Sequence, residues 1–247
     1  MSAELYDQIA PENKAAVDAR CVRTLFARAR QATMLAPLGT LFIFWVVHDI
    51  VSLPLALGWM ILNTLPDAFT FVQTSRLLKN PPADDRIASC HNWQVVLRAL
   101  QGLSWGAAAV LFHADPISDM VVLLVLVSIS AASVVNMAPS FRTLAAFCFA
   151  ILIVPILFYF SLGGALYGKI AVGLCILLLI EMQFGWDAYR QFAGGVHQLV
   201  LNLRIRDQME MRNAELDDLN QKLRAIAIHD QLTGLYNRHF MVEQIER

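Results

Sequence analysis

The chain is 247 residues long, 57% hydrophobic and only 16% charged, with a formal net charge of −1. A soluble domain rarely exceeds half apolar and carries about a quarter charged residues, so this composition excludes a water-soluble globule and points to a membrane protein. The balanced charge says little about partners, because the charges are segregated along the chain; no nucleic-acid partner is expected. The four cysteines, Cys21, Cys90, Cys148 and Cys175, show no CxxC or CxxH spacing, which argues against a disulfide framework. The polar, helix-patterned N-terminus lacks the short apolar core of a cleavable signal.

Within residues 1–31 a helix is expected from Pro11 to Gln31, with Val17, Cys21 and Leu25 on one side and Arg20, Arg23, Arg28 and Arg30 elsewhere. A basic amphipathic helix of this kind suits the inner leaflet surface. It can equally be a plain extension of the first spanning helix. Six apolar segments follow, each close to the roughly 20 residues that a bilayer core demands. They run Ala32–Val51, Leu55–Ser75, Trp93–Phe112, Ile117–Met137, Leu144–Leu162 and Ile170–Trp186, with the first turn near Ser52–Pro54. Pro37, Pro66 and Pro155 fall inside spans and read as kinks whose freed carbonyls neighbouring helices satisfy. The fold class is therefore an all-α membrane protein: a six-transmembrane-helix sensor bundle over residues 32–189, followed by a C-terminal coiled-coil signalling helix over residues 190–228.

Loop charges set the orientation. Lys14, Arg20, Arg23, Arg28 and Arg30 precede the first span, Arg76, Lys79 and Arg86 follow the second, Arg142 follows the fourth and Arg190 the sixth, whereas the opposite loops carry only Lys169. Both termini are expected to be cytoplasmic, in a multi-pass protein of the bacterial inner membrane.

Ionisable groups at membrane depth are costly, so each needs a partner or a task. Asp67 and Arg98 fall at similar depths and are expected to pair, or else Arg98 snorkels to the headgroups. Glu181, with Gln183 and Asp187 below it, lies on the helix that continues into the coiled coil, where a ligand or proton would act directly on the output, or else it is an interfacial carboxylate reaching for water or for an arginine. On the outer side His48, Asp49, His113, Asp115 and Asp119 could converge, and His48 and His113 could ligate Zn²⁺ or Cu²⁺, but no pair has helical metal-site spacing and no metal is expected. Trp45, Trp59, Trp105, Phe69 and Phe71 can line a pocket for a small apolar ligand, or else serve packing and interfacial belts.

Beyond the sixth span the pattern changes. Ile205, Met209, Leu216, Leu219, Leu223 and Ile226 recur at heptad spacing, with Arg212 interrupting, and the residues between are charged or amide. A stripe that narrow fits the seam of a two-stranded coiled coil, so a parallel homodimer is the expected partner state alongside the bilayer. From Gly195 to Ala227 there is neither proline nor a further glycine, which leaves Gly194-Gly195 as the candidate hinge.

The seam runs into His229-Asp230-Gln231-Leu232-Thr233-Gly234-Leu235-Tyr236-Asn237-Arg238. Gly234 can take a left-handed helix cap, and Asn237 can start a next helix over residues 238–247. This run resembles the opening of the GGDEF domain of diguanylate cyclases, usually DxLTGLxNRR, through Asp230, Leu232, Thr233, Gly234, Leu235, Asn237 and Arg238, and it departs from that pattern at His239. Gly58-Trp59, Arg76, Gly102-Leu103-Ser104-Trp105-Gly106, Phe141-Arg142 and Pro155 resemble a six-helix sensor module found on some bacterial GGDEF proteins and histidine kinases. The resemblance implies that Asp230 and Arg238 clamp the turn at the start of a cyclase domain, and that the whole protein condenses two GTP into cyclic di-GMP with Mg²⁺. A cyclase domain needs on the order of 150 residues, and residues 229–247 hold no GGDEF signature. The chain is thus expected to be the non-catalytic sensor and transmission part, with no cofactor of its own and with GTP and Mg²⁺ belonging to the cyclase domain. Two alternatives stay open: a degenerate GGDEF that binds nucleotide or precedes a phosphodiesterase domain, and a transporter or channel with an oligomerising helix.

Overall fold

The computed structural model describes residues 11–80, 84–228, 235 and 241–242, with the side chains of 11–13, 15, 84, 85 and 225–228 excepted. Among the described residues there are six long helices and no strand: α1 Pro11–Val47, α2 Leu53–Lys79, α3 Asp84–Leu111, α4 Pro116–Asn136, α5 Phe141–Leu162 and α6 Gly164–Ile228. The chain divides into two compact units, residues 1–197 and 198–247. Five of the helices (all but α3) are long and apolar enough to cross a membrane. The protein is a helical membrane protein.

Helix α3 falls short because it carries several polar side chains. Gln94, Arg98 and Gln101 are all buried, and its small residues allow intimate packing. A Cβ built on Gly102 would lie 2.7 Å from the Phe147 carbonyl oxygen, and one on Gly106 would lie 2.7 Å from that of Ile151. The Gly102-x-x-x-Gly106 spacing therefore brings the backbones of α3 and α5 together, as small residues do between membrane helices. These two helices form the broadest helix–helix interface among the described residues. The core between the helices is built on Trp59, Trp105, Phe112, Leu126, Leu144, Ile151 and Tyr159.

Helix boundaries depart from the sequence expectation in three places. The N-terminal amphipathic helix and the first span are one continuous helix, and its apolar side faces protein: Val17 and Cys21 pack on Ala193 of α6, and Val22 and Phe26 on Ile87 of α3. The plain-extension reading is the one observed, because that side finds apolar partners within the chain. Helix α3 starts well before Trp93. Helix α6 starts at Gly164 rather than Ile170, because Gly163 and Gly164, at φ 68° and 79°, reverse the chain in a conformation that side chains with a Cβ rarely adopt. The first turn falls at residues 48–52, next to the expected site.

In the second unit, α6 presents Ile205, Met209, Leu216, Leu219 and Leu223 as exposed side chains. The Ile226 side chain lies outside the described residues. So do Asp230, Leu232, Thr233, Gly234, Asn237 and Arg238; of the motif only Leu235 is described, and it is exposed.

Candidate functional site

The polar constellation in the bundle rests on α2 and α3. Asp67 projects from α2, and Arg98 and Gln101, one helical turn apart, project from the facing side of α3. Arg98 Nη1 lies 3.5 Å from Asp67 Oδ1, at the outer limit of a hydrogen bond. Gln101 closes the gap: its Nε2 donates to Asp67 Oδ1 at 2.6 Å, and its Oε1 accepts from Arg98 Nη1. All three residues are at least 95% buried. The amide bridge links the two charges where water is scarce, since such a pair requires additional hydrogen bonds. Sequence reasoning expected Asp67 beside Arg98 but missed Gln101, although its i+3 position after Arg98 put it on the same face.

This triad forms one wall of a cavity of about 290 Å³. Ala32, Ala36 and Gly39 of α1, Trp105 of α3 and Ala132, Ser133 and Asn136 of α4 also line it. Of the aromatic residues expected to line a ligand pocket, only Trp105 does so here. Trp59 is core: its Nε1 donates to the Ser104 carbonyl at 2.8 Å, and its ring sits edge-on to Trp105 and Phe112. Trp45 is exposed, Phe71 lies under the Arg30 guanidinium, and Phe69 lines a separate shallow apolar groove with Leu97 and Leu100.

Glu181 of α6 is buried as well. Ser130 Oγ of α4 donates to its Oε2 at 2.6 Å, while Oε1 has no hydrogen-bond partner among the described residues. Ser133, on the next turn of α4, bonds the Ser130 carbonyl and lies 3.2 Å from Cys148 Sγ of α5. Glu181 thus ties α6 to α4 inside the bundle rather than reaching for an interfacial arginine. Gln183 is exposed and Asp187 half-buried.

The residues expected on the outer side form separate local pairs and a helix cap. His48 pairs with its neighbour Asp49 at 3.3 Å. His113 Nδ1 meets both Asp119 oxygens at 2.9–3.0 Å, with Phe158 and Tyr167 edge-on to its ring. Asp115 caps α4 by accepting from the Ile117 and Ser118 backbone N–H groups and the Ser118 hydroxyl, and these bonds hold its carboxyl below the usual carboxylate range. No group of three or more His, Cys, Asp or Glu that could hold a metal occurs among the described residues.

A second cavity, of about 480 Å³, lies at the α4–α5 turn and is lined by Asp18, His91, Arg142, Trp186 and Tyr189 among others. His91 Nε2 contacts Ser140 Oγ at 2.7 Å, and burial together with the nearby Arg142 charge lowers its pKa below the ordinary histidine value. The sequence singled out neither this cavity nor His91. The hinge pair lies within an unbroken stretch of α6; Gly194 is buried, and a Cβ on Gly195 would meet open space. Comparison with family models, curated proteins and solved structures returns no match for this chain.

Proposed function

We propose that this chain is the sensory and transmission region of an inner-membrane GGDEF protein that makes cyclic di-GMP from two GTP. The observation that carries the reading is α6. One helix holds Glu181 in the bundle, passes Gly194-Gly195, bears an exposed heptad stripe, and reaches Ile228 immediately before the Asp230–Arg238 motif. A stimulus that shifts α6 inside the bundle has a direct covalent route to the output. Dimerisation through the Ile205–Ile226 stripe would bring two cyclase domains face to face, as condensation of two GTP requires.

On this reading α3 also crosses the membrane, making six spans, because Gln94, Arg98 and Gln101 meet protein rather than lipid. Both termini then face the cytoplasm, where GTP is found. A hinge at Gly194-Gly195 sets how far bundle movements turn the coiled coil.

The test is to incubate the purified full gene product with GTP and Mg²⁺ and assay for cyclic di-GMP by mass spectrometry. Product is expected, and Gly194→Ala with Gly195→Ala should alter its yield while the dimer persists. Nucleotide binding without turnover would convert the reading to a degenerate GGDEF. Absence of both binding and turnover would overturn it.

A further inference from the structure

The cavity beside Asp67, Arg98 and Gln101 has the attributes of a ligand site rather than of a packing defect. A chance gap between membrane helices is lined by hydrocarbon. This one has an ion pair and its bridging amide on one wall, all buried, and mostly apolar side chains elsewhere, with Ser133 and Asn136 the other polar residues of the lining. Its opening is made by small residues on two different helices, Ala32 and Ala36 of α1 and Ala132 of α4. Gly39 keeps it open: a Cβ there would come 3.3 Å from the Trp105 ring and 3.5 Å from Ile129 Cδ1. Leu35 and Asn136, also on the lining, are exposed, so the cavity communicates with the outside of the bundle between α1 and α4. In a bilayer that opening faces lipid, and the ligand arrives from the membrane.

Head-group chemistry follows from the triad. Asp67 and Arg98 cancel each other's charge, so a charged head would bring an uncompensated charge into a low-dielectric site. Among the described residues both hydrogen bonds of Arg98 run through Nη1, to Asp67 and Gln101. A guanidinium has five N–H donors, so donors remain for an acceptor that enters the cavity. An uncharged carbonyl oxygen satisfies them without disturbing charge balance, and an apolar tail suits the remaining wall. At about 290 Å³ the space lies near the small end of ligand pockets. We infer that the cavity between α1 and α4 binds an uncharged, carbonyl-headed amphiphile drawn from the bilayer, its carbonyl accepting hydrogen bonds from Arg98. Nothing in this binding requires the output domain to be a cyclase.

The experiment compares three probes of equal chain length on the purified protein: methyl decanoate, decane and decanoate at neutral pH. Retention by native mass spectrometry and the shift in unfolding temperature are both read. Methyl decanoate should be retained one to one and raise the unfolding temperature, with decane and decanoate weaker by about tenfold or more, the scale of losing a charge-assisted hydrogen bond. Ala132→Phe, at a lining position outside the triad, should abolish retention of the ester while keeping the unliganded unfolding temperature. Equal retention of decane and ester would mean an acyl-chain slot with no head recognition and would overturn the inference. Preference for decanoate, no retention of the ester, or unchanged retention in a folded Ala132→Phe protein would overturn it too. The three-probe ranking on the unmodified protein decides the matter even if that variant fails to fold.

Discussion

The bundle and the C-terminal part of α6 both expose apolar side chains, but in opposite contexts. In the bundle, Leu35, Trp45 and Ile117 are each about two-thirds exposed or more, at 67%, 68% and 75%, while Asp67, Arg98, Gln101 and Glu181 are hidden. In the second unit the charges are outside, and Ile205, Met209, Leu216, Leu219 and Leu223, the heptad stripe, are exposed with them. Hydrocarbon can cover the first surface and leave the protein indifferent to it. Water cannot cover the second at no cost, and the surface pairs Arg206–Glu210 at 3.1 Å and Lys222–Asp218 at 2.7 Å contribute only about 0.3–0.5 kcal/mol each. One region is therefore stabilised by what it buries inside itself, and the other, on the function proposed above, is covered by a second copy of the stripe.

Removing one partner of the buried triad tests the first half of that contrast most severely. Asp67→Leu leaves the Arg98 guanidinium buried without its counter-charge and should cost about 3–5 kcal/mol, seen as a large drop in unfolding temperature in detergent. The double change Asp67→Leu with Arg98→Met should recover most of the loss. If the single variant is as stable as the parent, the triad is not a structural element of the bundle.

Next in size is the α3–α5 contact. Gly102→Ala and Gly106→Ala each place a methyl group against a backbone carbonyl oxygen at 2.7 Å. Overpacking of this kind should cost about 1–3 kcal/mol per site, again by thermal unfolding. Gly195→Ala is the control, since its methyl group meets nothing.

The stripe is tested by Leu216→Asp, Leu219→Asp and Leu223→Asp together. The mass by light scattering should fall from dimer to monomer, while the bundle's unfolding shifts by no more than about 0.5 kcal/mol. A parallel loss of bundle stability would show that the two regions do not draw on separate sources of stabilisation.

The smallest effect is a pH dependence at His91. Burial and Arg142 lower its pKa in the folded state from the ordinary 6.5. The unfolded chain therefore binds a proton more readily, so the His91 contribution is complete above about pH 6.5 and diminishes as the pH falls through the folded-state value. His91→Gln should flatten that part of the stability profile and leave the neutral-pH value nearly unchanged.

Much of this was legible in residue order. The five apolar helices, the turn near Ser52–Pro54 and the Asp67–Arg98 pairing all follow from apolar periodicity and from the cost of charge in hydrocarbon. Hydropathy alone does not reveal that Gln94, Arg98 and Gln101 of α3 are buried inside the protein. The Gly102-x-x-x-Gly106 signal for close packing was there to be read, and so was the i+3 spacing of Gln101. No local signal marks Ser130 as the partner of Glu181, 51 residues away.

What the sequence determined by itself is the set of helices and the change in character after the bundle, because periodicity and transfer free energy act on neighbouring residues along one helix. Which faces meet was decided only in three dimensions. The apolar side of residues 17–26 could have rested on lipid or on protein, and it rests on Ala193 and Ile87 because those residues fold into reach. The amide of Gln101 became a bridge, and four small residues on two helices became an opening, for the same reason: a helix fixes the direction of each side chain, but only the packing of several helices fixes what lies there.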